Sequence, residues 1–329
     1  MLQLFHDPKI DFMGRRRMWV GVSLTLIVLS LAILFTKGIK KGIEFEGGAE
    51  VQIQYKAKPD VAAVREILGK SGFNGSLVTT MGKPEDNEIY VRVPLEKGAK
   101  DEDLAPRVVA ALKQAQGADA FVTRSQSYIG PAVGSELVKK ALGAILGSMA
   151  GMLVYIWIRF EFQWGLAAVI ALVHDTIITL GLFSLFGYEM SLPVVAAFLT
   201  LVGYSVNDTV VIFDRIRENL KARGGTVTNL PDLINVSMNQ TLSRTVLTSL
   251  LTWIVCAFLF ALGGPALRDF SFVMVVGIIV GTYSSIYIAS PFLVVWQEWL
   301  AERAKRTGNQ AAAKPPAKPT AKKLRAGKA

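Results

Sequence analysis

The chain has 329 residues, of which 51% are hydrophobic and only 19% charged, and its mean hydropathy of +0.39 is high for a water-soluble domain. One cysteine, Cys256, excludes an internal disulfide framework and a thiolate zinc cluster, and two histidines, His6 and His174, exclude a histidine-rich metal site. The net charge of +10 suits either nucleic acid or a membrane topology, and its distribution decides between them.

Residues 1–17 form a short basic segment ending in "RRRM". The apolar run that follows, 18–36, is long for a secretory leader, and "LFTKGIKKG" offers no small-x-small cleavage site, so an uncleaved signal-anchor is expected. Five more runs can cross about 30 Å of hydrocarbon at about 1.5 Å per residue: 137–157, 165–187, 191–213, 242–262 and 270–296. Gly143, Gly147 and Gly151 give the second span a GxxxGxxxG face suited to close packing within the chain, and Gly277 and Gly281 repeat the spacing on the sixth.

Between the first two spans, residues 37–136 carry 14 Lys/Arg against 14 Asp/Glu. They alternate like a small folded domain. "AEVQIQY" places Val51, Ile53 and Tyr55 on one face, which is strand spacing, whereas Val61, Val64, Ile67 and Leu68 recur at helical spacing. "SLVTTM" and "EIYVRV" flank the turn-like "GKPEDN" as a hairpin, "DEDLAPRVVAALKQA" reads as a helix with an acidic start, and "DAFVTRSQSYI" supplies a last strand. The order βαββαβ predicts an inserted α+β ferredoxin-like domain in an α-helical polytopic protein of six transmembrane helices. No catalytic constellation is visible in it.

Basic residues outside that domain gather at the N-terminus, in the 214–241 loop and in the tail 297–329, all on one side of a six-span topology. By the positive-inside rule both termini face the cytoplasm. The tail, rich in Ala, Pro and Lys, is expected to be disordered and to meet anionic lipid.

The fourth span ends in "GYSVNDTVVIFDR". A carboxylate in hydrocarbon costs about 2.5–3.5 kcal/mol on insertion scales, so Asp208 needs a reason to be there. As a helix, this span places Thr200, Gly203, Tyr204, Asn207 and Asp208 on one small, polar face suited to packing. Thr241, Arg244, Thr248 and Thr252 form a similar stripe on the fifth span, and Arg244 lies at the depth of Asp208, which predicts an ion pair. A carboxylate balanced between burial and an opposite charge can exchange a proton. On the third span His174 and Asp175 point about 100° apart, which argues against a mutual dyad. Asp175 shares a face with Ala168, Ala171 and Thr179. Neither a GxGD nor an HExxH context is present, so an intramembrane enzyme is not expected.

Taken together, "DPKIDFMGRRR", "GIEFEGGAE", "IGPAVGSEL", "VHDTIITLG", "VGYSVNDTVVIFDRIREN" and "NQTLSRTVLTS" resemble, in order, the signature of the SecF family, covering residues 5–295. Glu44 stands where that family usually has Asp. The resemblance implies a subunit of the bacterial Sec export machinery in the inner membrane, of the resistance-nodulation-division transporter type. It implies pairing with SecD, association with the SecYEG channel and YajC, and proton-driven movement of preproteins. No cofactor and no nucleic-acid partner is implied, and sodium stays open as an alternative coupling ion. By motif, the family's proton-conducting acid and arginine fall on Asp208 and Arg244, with Asn207 beside the acid and Asp175 matching its "HD" pair. Two rival readings remain: half of a proton-driven small-molecule exporter of the same superfamily, or a non-conducting scaffold for SecD.

Overall fold

A computed structural model describes residues 8–81, 84–95, 103–224 and 229–306. The first long helix, α1 (Arg16–Lys37), leads to a two-residue strand β1 (Lys40–Lys41) and a single helical turn α2 (Ile43–Glu46). The inserted domain then runs β2 (Gly48–Tyr55), α3 (Val61–Lys70), β3 (Leu77–Met81), β4 (Glu88–Pro94), α4 (Leu104–Gln116) and β5 (Phe121–Ile129). The bundle continues with α5 (Pro131–Arg159), α6 (Phe162–Phe186), the short strand β6 (Glu189–Met190), α7 (Leu192–Ala222) and α8 (Leu230–Leu262). The sixth span is α9 (Gly264–Ser284), a π turn at Ser285–Ala289, and α10 (Ser290–Arg306).

The inserted domain is the expected ferredoxin-like sandwich. Its sheet has the order β3-β4-β2-β5, with every pair antiparallel, and the two helices cover one face. The alternation read from sequence is what packs it: Ala49, Val51 and Ile53 from β2 and Ile89, Val91 and Val93 from β4 meet Val64, Leu68, Val108 and Leu112 from the helices. Asp60 caps α3 by accepting from the Ala62 and Ala63 amides. Tyr55 donates to Gln116 at 2.7 Å, and burial pushes its phenol up to about 12.

Six helices are long and apolar enough to cross a membrane, the last of them the composite sixth span. The central helices are α6, α7 and α9, whose inner faces are buried against one another, while α1, α5 and α8 lie around them. Several spans exceed their expected limits. The 214–241 stretch, expected as a loop, is mostly helix, because α7 runs on to Ala222 and α8 starts at Leu230. Ile212, Phe213 and Ile216 continue the buried face of α7 beyond the apolar run and pack on Leu233, Ile234 and Met238 of the same core. Helix α10 reaches Arg306, so residues 297–306 of the expected tail are helical, and 307–329 fall outside the described residues. The N-terminal segment is pinned to α8: Asn235 accepts from the Phe12 and Met13 amides, each at 3.0 Å, and Asn239 accepts from that of Ile10.

The glycine reading needs a correction. A methyl group added at Gly143, Gly147, Gly151 or Gly203 would meet nothing within 4 Å, so these four do not serve packing within the chain. GxxxG spacing says only that a backbone can be approached, and α5 offers that face outward. The close approaches lie elsewhere: Gly277 against Leu201, Gly281 against Ser205, and Gly181 against Ser30 of α1, where the backbone itself is near. Gly181→Ala should therefore destabilise the isolated subunit by about 1–3 kcal/mol, whereas Gly147→Ala should leave it within about 0.5 kcal/mol of the wild type. Unfolding in detergent, followed by intrinsic fluorescence, compares the two.

A candidate ion-transfer site in the bundle

Four helices bring polar side chains into the middle of the bundle, and they do so through hydroxyl groups. Asp175, on α6, is fully buried and accepts from Ser205 of α7 at 2.5 Å and from Ser284 of α9 at 2.8 Å, both at Oδ2. Its Oδ1 lies 2.9 Å from Nδ1 of His174. Asp208, on α7, is 3% exposed. Its Oδ2 accepts from Ser249 of α8 at 2.9 Å, and Thr282 of α9 donates in turn to Ser249 at 2.9 Å. Thr282 Oγ1 also lies 2.8 Å from the Ile278 carbonyl, so its one proton serves either acceptor but not both.

The two carboxyl groups therefore belong to one assembly. Ser205 and Asp208 are neighbours at i,i+3 on α7. Thr282 and Ser284 are two residues apart in the last turn of α9, directly before the π turn, and Ser285 donates back to the Thr282 carbonyl at 2.9 Å. Such turns inside helices are rare and recur at functional sites. Buried and without a hydrogen-bond partner here are Nε2 of His174 and the hydroxyls of Thr179 and Thr245.

Three sequence expectations change. Asp208 and Arg244 do not form an ion pair. Arg244 is exposed, and its field reaches the carboxyl without contact. Neither level nor direction around the helix was matched: Ser249, five residues on, is the one that meets Asp208, so Arg244 lies about 7.5 Å nearer the start of α8 and is turned by about 140° from it. His174 and Asp175 do touch. Neighbouring Cβ atoms diverge, yet the inward-crowded face of α6 leaves both side chains reaching into the same space. Finally, the α7 stripe is split. Asp208 points inward with Ser205 and Thr209, whereas Thr200, Gly203 and Asn207 lie exposed, with Tyr204 between the two sets. Arg244 and Thr248 of α8 are likewise exposed. Ser205, Ser249, Thr282 and Ser284 were not singled out from sequence. "GYSVND" and "GTYSS" contain small polar residues inside apolar runs, which is the signal that was available.

No group of three or more His, Cys, Asp or Glu side chains able to hold a metal occurs among the described residues. The assembly is suited to moving a proton: two carboxyl groups, a histidine and hydroxyls that can each turn from donor to acceptor.

Residues 108–299 match the family described as "Protein export membrane protein SecD/SecF, C-terminal", and residues 32–58 match the SecD/SecF GG motif. The protein translocase subunit SecF of Calditerrivibrio nitroreducens is 43% identical over 285 residues, which is 87% of this chain and 93% of that one. SecF of Pseudomonas aeruginosa is 40% identical over 285 residues, covering 87% and 90%. The translocase subunit SecDF of Thermus thermophilus is 39% identical over 297 residues, 88% of this chain but 39% of the longer protein. The crystal structure of SecDF from Thermus thermophilus, a translocon-associated membrane protein, superposes with a TM-score of 0.73 at 37% identity, covering 89% of this chain and 39% of that one.

Loss of a donor to a buried carboxylate leaves that charge less well compensated, at a cost of about 1–3 kcal/mol. Ser284→Ala should show this loss, and Thr200→Ala, on the exposed face, should stay within about 0.5 kcal/mol. Unfolding in mixed detergent micelles would measure both.

Proposed function

Because the chain belongs to the SecD/SecF family of protein-export membrane proteins, we propose that it pairs with SecD as the SecF subunit and couples proton entry to late preprotein translocation. The relatives are named for transport and not for catalysis, and a multi-pass protein of the bacterial inner membrane is what six apolar helices in this family make. Proton use, the pairing and the sidedness are inferred as follows.

The observation that carries the reading is the boundary running down α7 and α8. On its inner side Asp208 is held by Ser249 and Thr282. On its outer side Asn207, Thr200, Arg244 and Thr248 are exposed. An arginine and a row of polar side chains turned outward are poorly matched to lipid, which favours a second membrane body over that face. A relative in which a SecF-like part is fused within a SecDF chain supports SecD as the occupant. A carboxyl group one helix face from such an interface can be reached by a proton entering between the two bodies.

The charge state of Asp208 then acts on the sixth span. As a carboxylate it accepts from Ser249. As a carboxylic acid with its proton on Oδ2 it carries a donor of its own, toward which the Ser249 hydroxyl turns a lone pair. The turned Ser249 hydroxyl meets Thr282 at a different angle, so the Thr282 proton is shifted toward the Ile278 carbonyl and the last turn of α9 responds. Asp175, tied to Ser284 two residues on, feels the same change. One proton crossing the membrane supplies about 2.3 kcal/mol per 100 mV, enough to bias states a few kcal/mol apart. With the termini in the cytoplasm, as the basic residues imply, the inserted domain lies on the external side and follows the movement. SecYEG, YajC and the translocating preprotein would be met there and in the membrane. The basic tail would meet anionic lipid.

In proteoliposomes with SecD and the SecYEG channel, Asp208→Asn should lower gradient-driven export by about tenfold or more, equivalent to about 1.4 kcal/mol of lost coupling. Imposing a pH gradient and a sodium gradient separately identifies the ion. Undiminished export by a correctly inserted Asp208→Asn protein contradicts the reading.

A further inference from the structure

We propose that Arg92 is the mechanical coupling residue of the inserted domain, the side chain through which movement of the third, fourth and sixth spans is passed to it. The inference rests on the export reading above and adds the contact by which force leaves the bundle.

The domain is joined covalently to the bundle only through the segment after α1 and through Gly130 before α5. Its non-covalent attachment includes contacts of α2 with α5 and of β3 with α9, and a polar joint at β6, between α6 and α7. Lys40 and Lys41 pair in parallel with Glu189 and Met190, and the Gly42 amide donates to the Met190 carbonyl at 2.7 Å. From inside the domain, Arg92 of β4 reaches across to Glu189 at 2.5 Å and stays within 3.8 Å of Glu50 on β2. The Glu189 amide donates to Asp269 of α9 at 3.0 Å. Glu189 thus stands at the point where α6, α7 and α9 come together. These three helices carry Asp175, Asp208 and Thr282, and the one guanidinium on Glu189 belongs to the other body.

Charge balance makes Arg92 essential to that closure. Glu44, Glu50, Glu189 and Asp269 gather around it from α2, β2, β6 and α9, with Arg268 and the lysines of β1 at the margin. One carboxylate oxygen of Glu44 is buried without a partner. Burial pushes the Glu50 carboxyl up, Arg92 opposes that shift, and the charges of Glu44 and Glu189 add to it. Without the guanidinium, acids from both bodies would face each other across a partly buried seam. A cavity of about 280 Å³ beside it, lined by Lys41, Ile43, Arg92, Pro94 and Glu189, leaves space for the domain to tilt once the contact is broken. A lysine could keep the charge but not the planar fork that meets two carboxylates at once.

The test uses the full chain with SecD in proteoliposomes and three readings: gradient-driven export, proton uptake, and the distance between spin labels at Lys70→Cys and Leu262→Cys in a Cys256→Ser background. Arg92→Ala should keep proton uptake, broaden the label distances and lower export by about tenfold, within the range of ordinary coupling free energies. Arg92→Lys should fall between, and the exchanged pair Arg92→Glu with Glu189→Arg should restore export. Unchanged export in Arg92→Ala overturns the proposal. So does loss of proton uptake together with export, which is the mark of a merely structural residue. If the wild type itself shows no gradient dependence, the export reading fails separately, and the label distances still decide whether Arg92 holds the joint.

Discussion

A carboxylate placed in hydrocarbon has to be answered by something, and here it is answered by hydroxyl groups from other helices. Asp208 takes Ser249, Ser249 takes Thr282, and Asp175 takes Ser205 and Ser284. Each of these bonds joins two helices. Removing them would leave the middle of α6, α7, α8 and α9 held by apolar contact, which in lipid has little preference for one partner over another. The acids therefore help determine which helices are neighbours, and the same bonds tie the sixth span to both of them.

The placement of the π turn gives this arrangement a direction. Both carboxyl networks end on Thr282 and Ser284, immediately before Ser285–Ala289. Gly281 lets α7 approach closely at this level, with Ser205 against it. At the far end of the same helix, Asp269 holds the Glu189 amide, and Glu189 holds Arg92 of the inserted domain. A continuous set of packed and hydrogen-bonded residues thus connects the buried acids to the domain outside the bundle.

The architecture was legible in the sequence because periodicity encodes it. Alternation in "AEVQIQY" gave β2, helical spacing of Val64 and Leu68 gave α3, and six apolar runs gave six spans. The site was legible only in part. Asp208 and Asp175 stood out as costly charges, but their partners are serines and threonines, whose short side chains leave no periodic mark. Arg244 was set beside Asp208 although it lies about 7.5 Å nearer the start of α8 and on another side of it, since both the level and the facing of a residue depend on how neighbouring helices pack. The open glycines of α5 teach the same lesson: a spacing shows what a helix can accept, and only packing shows what it meets.

The account depends on Asp208 changing its protonation while the protein works. Infrared difference spectra of the chain with SecD in lipid, recorded between neutral and acidic external pH, test this most directly. A protonated-carboxyl band should appear on acidification and be missing in Asp208→Asn, with hydroxyl changes that Ser249→Ala alters. An identical carboxyl band in wild type and Asp208→Asn, or no band in either, would contradict it.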